Sequence, residues 1–481
     1  MTILPHSRAL ASYLAQLRLG DLPSEALRLL KLCVLDHFGC AIGALGGEVA
    51  KIASGVAGAA AEGPCTAIGQ RTRTGPEAAA LANGMLSHAL IFDDLHRHAK
   101  LHPGVAVIPA ALAMAESAQT GGAAFLAGVA AGYEATARVG VAIGMASHRL
   151  KGWRATGTCG SFGAAVAAAR VLDLGAEKSH HALACAAAQA SGNWAFAANG
   201  GMELYLAAGT AARNGVVSAL LAAHGFRGAA APLEAADGGF FAMTSDEADP
   251  ALLTESLGAR FRLMDTCIKM HPTCHSTQTG IDAALNLRSR HQVTPGMVER
   301  IVVHAGEITR IQCGWPFEPG PPSRMIFHMG YALAVALERG KVLPADFEPE
   351  AMRDPELQRI ARATEVLADP ELTAIYAERK PCEVTLHLRD GRALRERVDF
   401  CRGEPECPPT EEATIAKFSD LSSPHLAPDA AREMIDIVLS IEKHADLKRL
   451  GELLRDAGAR LVSYPIRFVN KRHPGVGQDP C

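Results

Sequence analysis

From residue 6 to about residue 265, apolar residues recur at helical spacing almost without interruption. The stretch "LPSEALRLLKLCVLDHFGCAIGAL" opens with Pro23-Ser24, a helix-start signal, and then carries apolar residues in helical register. "HPGVAVIPAALAMAESA", "GSFGAAVAAARVLDL" and "EKSHHALACAAAQASG" repeat the theme of a Gly or Pro stop followed by an Ala-rich helix. Side chains this small let helices approach one another closely, so the pattern predicts the interior of a large helical bundle.

Near residue 295 the pattern changes. "VERIVVHAGE" and "CEVTLHLRDGRALRERVDF" alternate as strands do, and Asp390-Gly391 reads as a hairpin turn. Between them, "RMIFHMGYALAVALERG" and "PELQRIARATEV" read as helices. "RGEPECPPTEE" is a Pro-rich linker, after which "APDAAREMIDIVLSIEKHADLKRLGELL" returns to helix. The expectation is a mainly α protein. Residues 1–267 and 404–460 form a large all-helical domain built from both chain ends, 268–403 form a smaller inserted α+β lid, and 461–481 form a loose tail.

Composition removes several function classes. The 47 basic and 51 acidic side chains nearly cancel, so no basic field points to nucleic acid or anionic lipid. The most apolar stretch, "AAFLAGVAAGYEATARVGVAIG", is interrupted by Glu134 and Arg138, and no uninterrupted apolar run reaches the roughly 18 residues of a membrane span. The N-terminus has no secretory pattern, and the twelve cysteines show no CxxC spacing. Free thiols in a reducing cytoplasm are expected.

The densest chemistry lies in "IFDDLHRHAKLHPG", residues 91–104, with two aspartates and three histidines. Asp93, His96, His98 and His102 offer oxygen and nitrogen ligands for zinc. However, no ligand pair sits on one regular element and no HExxH-like helix is present, so no metal is expected. Proton abstraction beside a carboxylate needs a base near neutrality, and histidine meets that requirement without tuning.

Six stretches occur in order over about residues 5–455: "LDHFGCAIGA", "AALANGMLSHALIFDD" with the later "HPG", "GTCGSFGAAVAAARVLDL", "AAQASG", "KMHPTCHSTQTGIDAAL" and "GEPECPPTEEATIAKF". Together they resemble the MmgE/PrpD family, which includes 2-methylcitrate dehydratases, cis-aconitate decarboxylases and iminodisuccinate epimerases. The resemblance implies a helical domain with a smaller α+β lid, a homodimer, and a small di- or tricarboxylate substrate handled without metal or organic cofactor. It places His102 in the active site as the "HPG" histidine, with Asp93 and Asp94 as paired aspartates that shape or charge the pocket. Lys269 matches the family lysine, and a lysine can bind a carboxylate and stabilise the enediolate formed on proton loss. Cys274 stands where the family often has a histidine or cysteine, and reads as a small packed thiol or, alternatively, a nucleophile. His275 is a second acid/base candidate. Tyr331 matches a tyrosine that reaches the site from the small domain, although a tyrosine opening an apolar helix is also an ordinary core residue.

The departures matter as much as the matches. "IFDDL" stands in place of "DFDDT", so Ile91 and Leu95 replace an acid and a threonine. Arg154 replaces a histidine, and Leu204 and Ala207 replace the lysine and histidine of "TKRLHxG". Arg154 can hold a carboxylate with two parallel bonds but cannot act as a base. The expected reaction is removal of a proton next to a carboxylate, in a hydro-lyase of the 2-methylcitrate dehydratase type. An iminodisuccinate-type epimerase and a non-catalytic carboxylate-binding protein are the alternatives.

Overall fold

The computed structural model describes residues 4–198, 200–376 and 378–459; the tail expected over 461–481 lies outside them. The helix predicted after Pro23 spans Ser24–Gly43. At the centre of the first core lies the helix Ala155–Val171, packed between Gly122–Ala142 and Glu203–Ala223. Glycine makes this crossing possible. A Cβ on Gly163 would stand 2.6 Å from the carbonyl oxygen of Gly132, and one on Gly132 would stand 2.6 Å from Val107 Cγ1. The two helices therefore approach closely beside Thr136, whose Oγ1 would stand 1.7 Å from a Cβ on Gly163, and Ala164–Ala169 are buried on all sides. Glu203–Ala223 is long and apolar enough to cross a bilayer, yet it packs on Ala155–Val171 and Pro76–Ser87 as a core helix.

The two charges that interrupt the apolar stretch are both buried. Arg138 Nε donates to Glu134 Oε1 at 2.6 Å, and its other nitrogens donate to the carbonyls of Leu253, Glu255 and Arg260. Glu134 Oε2 accepts from the Leu263 backbone N–H at 3.0 Å. The pair thus satisfies a non-helical segment, which corrects the helical expectation up to residue 265. Residues 225–265 contain one five-residue helix, Phe240–Thr244, and two short 3-10 turns, with Arg138 and Glu134 bonding four of the segment's backbone groups and turn hydrogen bonds pairing others.

The second core lies around a four-stranded sheet. Val298–Ala305 pairs parallel with Thr364–Ala368 and antiparallel with Cys382–Leu388, which in turn pairs antiparallel with Ala393–Val398. The last two strands are joined at Asp390-Gly391, where Gly391 takes φ 86. Cys382, Val384, Leu386 and Leu388 alternate inward under the helices Gln278–His291 and Met329–Arg339. The stretch "PELQRIARATEV" is only partly helical: the helix Pro355–Arg362 stops, and Thr364–Ala368 completes the sheet edge. Beta-branched Thr364 and Val366 fit a pleated surface, and pairing with Val298–Ala305 outweighs the helical pattern.

After the linker the chain returns to the first core. Glu411–Ser422 and Pro428–Leu439 pack on Ser24–Gly43, with Phe418 against Gly39. Lys417 on this returning helix is 2.5 Å from Asp36 Oδ1 and donates to the carbonyls of Phe92 at 2.6 Å and Lys269 at 2.9 Å. One buried ammonium therefore ties three distant segments together beneath the region where both histidine-rich motifs converge.

Candidate active site

Two short strands bring those motifs side by side. Leu95–His96 pairs antiparallel with Thr266–Cys267, in the register Leu95↔Cys267 and His96↔Thr266. On its other side the second strand continues into Ile268, whose N–H donates to the carbonyl of Gly403 at 3.1 Å. Lys269 follows directly, so the loop 91–104, the lysine motif and the Pro-rich linker meet at one place. Neither short strand is visible as a period in the sequence, because two residues carry no alternation.

His102 enters the site at the start of the helix Gly104–Ser117. Its Nδ1 donates to the carbonyl of Asp94 at 2.8 Å and lies 2.7 Å from Asp93 Oδ2. Both neighbours only accept, so Nδ1 carries the proton and Nε2 keeps the lone pair. Among the described residues Nε2 has no partner, and the ring forms part of the wall of a cavity. Burial pushes the imidazole down to about 3, against the pull of Asp93, so the ring is neutral with its Nε2 lone pair free.

The other oxygen of Asp93 receives His88. His88 Nδ1 lies 2.9 Å from Asp93 Oδ1, and Nε2 lies 2.6 Å from Arg154 Nη2. Arginine only donates, so His88 is neutral with its proton on Nδ1. The chain Arg154–His88–Asp93–His102 is continuous and buried. Burial works to raise Asp93, but His88 and His102 hold it well below the usual carboxylate range. His88 sits inside the "NGMLSHALIFDD" stretch, and nothing local marked it as a partner of Asp93.

The cavity measures about 330 Å³. Its wall contains Lys100, Arg149, Arg154, Lys269 and Lys380 and, among the described residues, no aspartate or glutamate. Lys269 Nζ donates to the carbonyl of Ile91, a β-branched residue held at φ 51. That conformation is costly for such a side chain, and it turns the carbonyl toward the ammonium. Burial lowers Lys269 from its ordinary value, with Asp93 acting against that. Lys100 and Lys380 lie over the ring of Tyr376, at 5.2 and 5.6 Å, and burial lowers both. Arg149 and Arg154 lie over the indole of Trp194, at 4.2 and 5.4 Å. Lys100, Arg149 and Lys380 come from three separate segments, so only folding reveals them as one set.

Several sequence expectations are placed differently. Neither Asp93 nor Asp94 touches the cavity. Asp93 stands behind two imidazoles, and Asp94 accepts from Tyr133 Oη at 2.5 Å and from the Gly104 N–H at 3.1 Å. A Cβ at position 104 would be 2.6 Å from Tyr133 Oη and 2.7 Å from Asp94 Oδ1, which accounts for the glycine of "HPG". Tyr331 is a core residue of the sheet region. It is fully buried, donates to the carbonyl of Asp346 at 2.7 Å, stacks with Phe317, and takes no part in the cavity wall.

Cys274 and His275 do line the cavity. A hydrogen bond from the Cys313 thiol holds Cys274 below the usual thiol range against its burial, with Lys269 adding to the effect. His275 Nε2 lies 3.2 Å from Glu404 Oε1 and 3.9 Å from Cys401 Sγ.

Two sets of side chains among the described residues bring their ligand atoms close enough to surround a cation: His88, Asp93 and His102, and Cys267, His275 and Glu404. In the first set, both carboxylate oxygens already face imidazole nitrogens, and the remaining His88 nitrogen accepts from Arg154. His96 has both nitrogens engaged, with the Arg262 carbonyl and the Ala99 N–H, so it is not available as the zinc ligand considered from sequence.

Residues 8–253 match the MmgE/PrpD N-terminal domain, and residues 271–443 match the MmgE/PrpD C-terminal domain. The chain belongs to the MmgE/PrpD family. Among curated members of MmgE/PrpD, the cis-aconitate decarboxylase-like protein oryM of Aspergillus oryzae is 28% identical over 474 residues, covering 92% of this chain and 96% of the relative. A cis-aconitate decarboxylase of Aspergillus terreus is 28% identical, covering 92% and 94%, and that of Homo sapiens is 27% identical, covering 93% and 94%. In this MmgE/PrpD member, Ile91, Leu95, Arg154 and Leu204, four of the five departures from the family pattern, lie in the cavity wall, and Ala207 does not.

Proposed function

We propose that this protein is an enzyme that removes a proton next to a carboxylate of a small di- or tricarboxylate, and that the reaction proceeds as a lyase reaction of the hydro-lyase type. The observation that carries this reading is a neutral His102, fixed through Nδ1 and with Nε2 unpartnered, in a wall that holds five cations and, among the described residues, no acid. Such a wall attracts an anion with several charges, and the similarity to cis-aconitate decarboxylases supports a carboxylate and lyase chemistry.

In this mechanism Arg154 grips one carboxylate with two parallel bonds, His102 Nε2 takes the neighbouring proton, and Lys269 stabilises the enediolate. Asp93 steadies the imidazolium that forms, since its carboxylate is already aligned with Nδ1. The side of the cavity with Lys100 and Lys380 offers a proton to a departing hydroxyl. The homodimer implied by the resemblance belongs to the same proposal.

An epimerase is the second reading, and Cys274 favours it. A thiol with a lowered pKa in the same cavity as His102 supplies the second acid/base group that inversion at one carbon requires. The test is incubation of a panel of di- and tricarboxylates in heavy water, followed by NMR. Deuterium at the carbon beside a carboxylate together with an alkene product supports the lyase; deuterium with inversion supports the epimerase. Binding with no deuterium incorporation would leave only a carboxylate-binding protein.

A further inference from the structure

The cavity is not shaped for a compact polyacid. Apart from its cations, the wall is built mainly from apolar side chains, among them Met145, Leu150, Trp153, Trp194, Leu204 and Phe327. Leu150, which is 86% exposed, stands at the mouth of this wall. At the opposite extreme, Ile91 and Leu204 are each 4% exposed, so they form a dry part of the wall. A carboxylate set against them would lose water and gain no donor, which is costly. The same surface rewards an apolar group in proportion to the area it covers.

Four of the five cations fall into two groups, with Arg149 and Arg154 over Trp194 and Lys100 and Lys380 over Tyr376. Arg154 also lies beside His88. Two anionic groups are thereby provided for, with aromatic and aliphatic surface in the remaining space. A volume of about 330 Å³ falls within the roughly 300–1,000 Å³ of cavities that enclose drug-sized ligands.

We infer that the substrate is a dicarboxylate bearing an apolar substituent of about the size of an aryl group. This rests on the catalytic reading above and narrows its substrate class. In this arrangement the two carboxylates take the two cationic groups, and the substituent lies along Trp153, Trp194 and Leu204 toward Leu150 at the mouth. Loss of polar residues at 91, 95 and 204 is then a change of specificity, and the proton-accepting His102 is retained.

Calorimetric titration of the full-length protein with succinate, tricarballylate and benzylsuccinate tests the inference. Benzylsuccinate is expected to bind at least about tenfold more tightly than succinate, the gain that burial of a ring provides, with tricarballylate no tighter than succinate. Leu204→Lys should shift the preference toward tricarballylate. Trp194→Ala, at a half-buried position, should reduce benzylsuccinate affinity by a larger factor than succinate affinity, so that the preference between the two is lost. Tightest binding of tricarballylate by the unaltered protein, equal binding of all three, or binding of none would overturn the inference. Solvent exchange of the ligands is followed separately. An apolar preference without exchange would leave the ligand class standing and remove the catalytic reading, whereas exchange without the preference would do the reverse.

Discussion

His102 owes its chemistry to its partners more than to its own position. Asp93 is shared by two imidazoles, and Arg154 closes the chain by donating to the outer one. Arg154 therefore both faces the cavity and fixes the tautomer of His88. Replacing it with lysine keeps the charge but removes the planar fork. Arg154→Lys is expected to raise KM by about tenfold or more and to diminish the thermal shift that substrate produces, while the ligand-free melting point barely moves. A large ligand-free destabilisation with an unchanged KM would assign Arg154 to folding alone. At this scale, His102 and Lys269 were legible because each sits in a dense motif whose chemistry matches its residue type. Tyr331 misled because a phenol in an apolar helix looks the same whether it faces a cavity or a core. His88 and Lys380 left no local signal: His88 matters through Asp93 and the distant Arg154 together, and Lys380 lies far along the chain from the rest of the cavity wall.

Among the elements, small residues were the most informative part of the sequence. The Ala- and Gly-rich helices are buried, and the crossing at Gly132 and Gly163 leaves no space for even one methyl group. Gly163→Ala is expected to destabilise the protein by about 1–3 kcal/mol, because the packed backbone of Gly132 cannot move aside cheaply. Chemical denaturation measures this, and an unchanged midpoint would show that the helices separate without cost. The strands Val298–Ala305 and Cys382–Leu388 were legible from alternation. Thr364–Ala368 was not, because a five-residue edge strand directly after a helix continues the helical pattern, and only its parallel partner decides the conformation. The segment 225–265 was misread for a related reason: Glu134 and Arg138 satisfy its backbone from another helix.

The whole molecule buries an unusual amount of histidine, and this sets its response to acid. Burial lowers His37 and His102 to about 3, and His96, His148, His275 and His328 to about 4. The unfolded chain protonates these six rings below about 6.5, so their contribution to stability is present above that pH and is lost as the pH falls toward 4. Burial acts in the opposite direction on two carboxyls, raising Asp36 to about 6 and Asp94 to about 7. Their contribution is lost as the pH rises through those values and returns on acidification. Six groups outweigh two, so the melting temperature should fall between pH 6.5 and about pH 4.5; a rise across that window would contradict the burial of these rings. The central claim concerns His102 as the base in a cation-lined cavity. Its most direct test is the rate of deuterium incorporation from heavy water into a bound dicarboxylate, compared between the unaltered protein and His102→Gln. A loss of about 10²–10⁴-fold in that rate is expected, with the melting temperature nearly unchanged. Incorporation by His102→Gln at close to the original rate would contradict it and make His102 a structural residue.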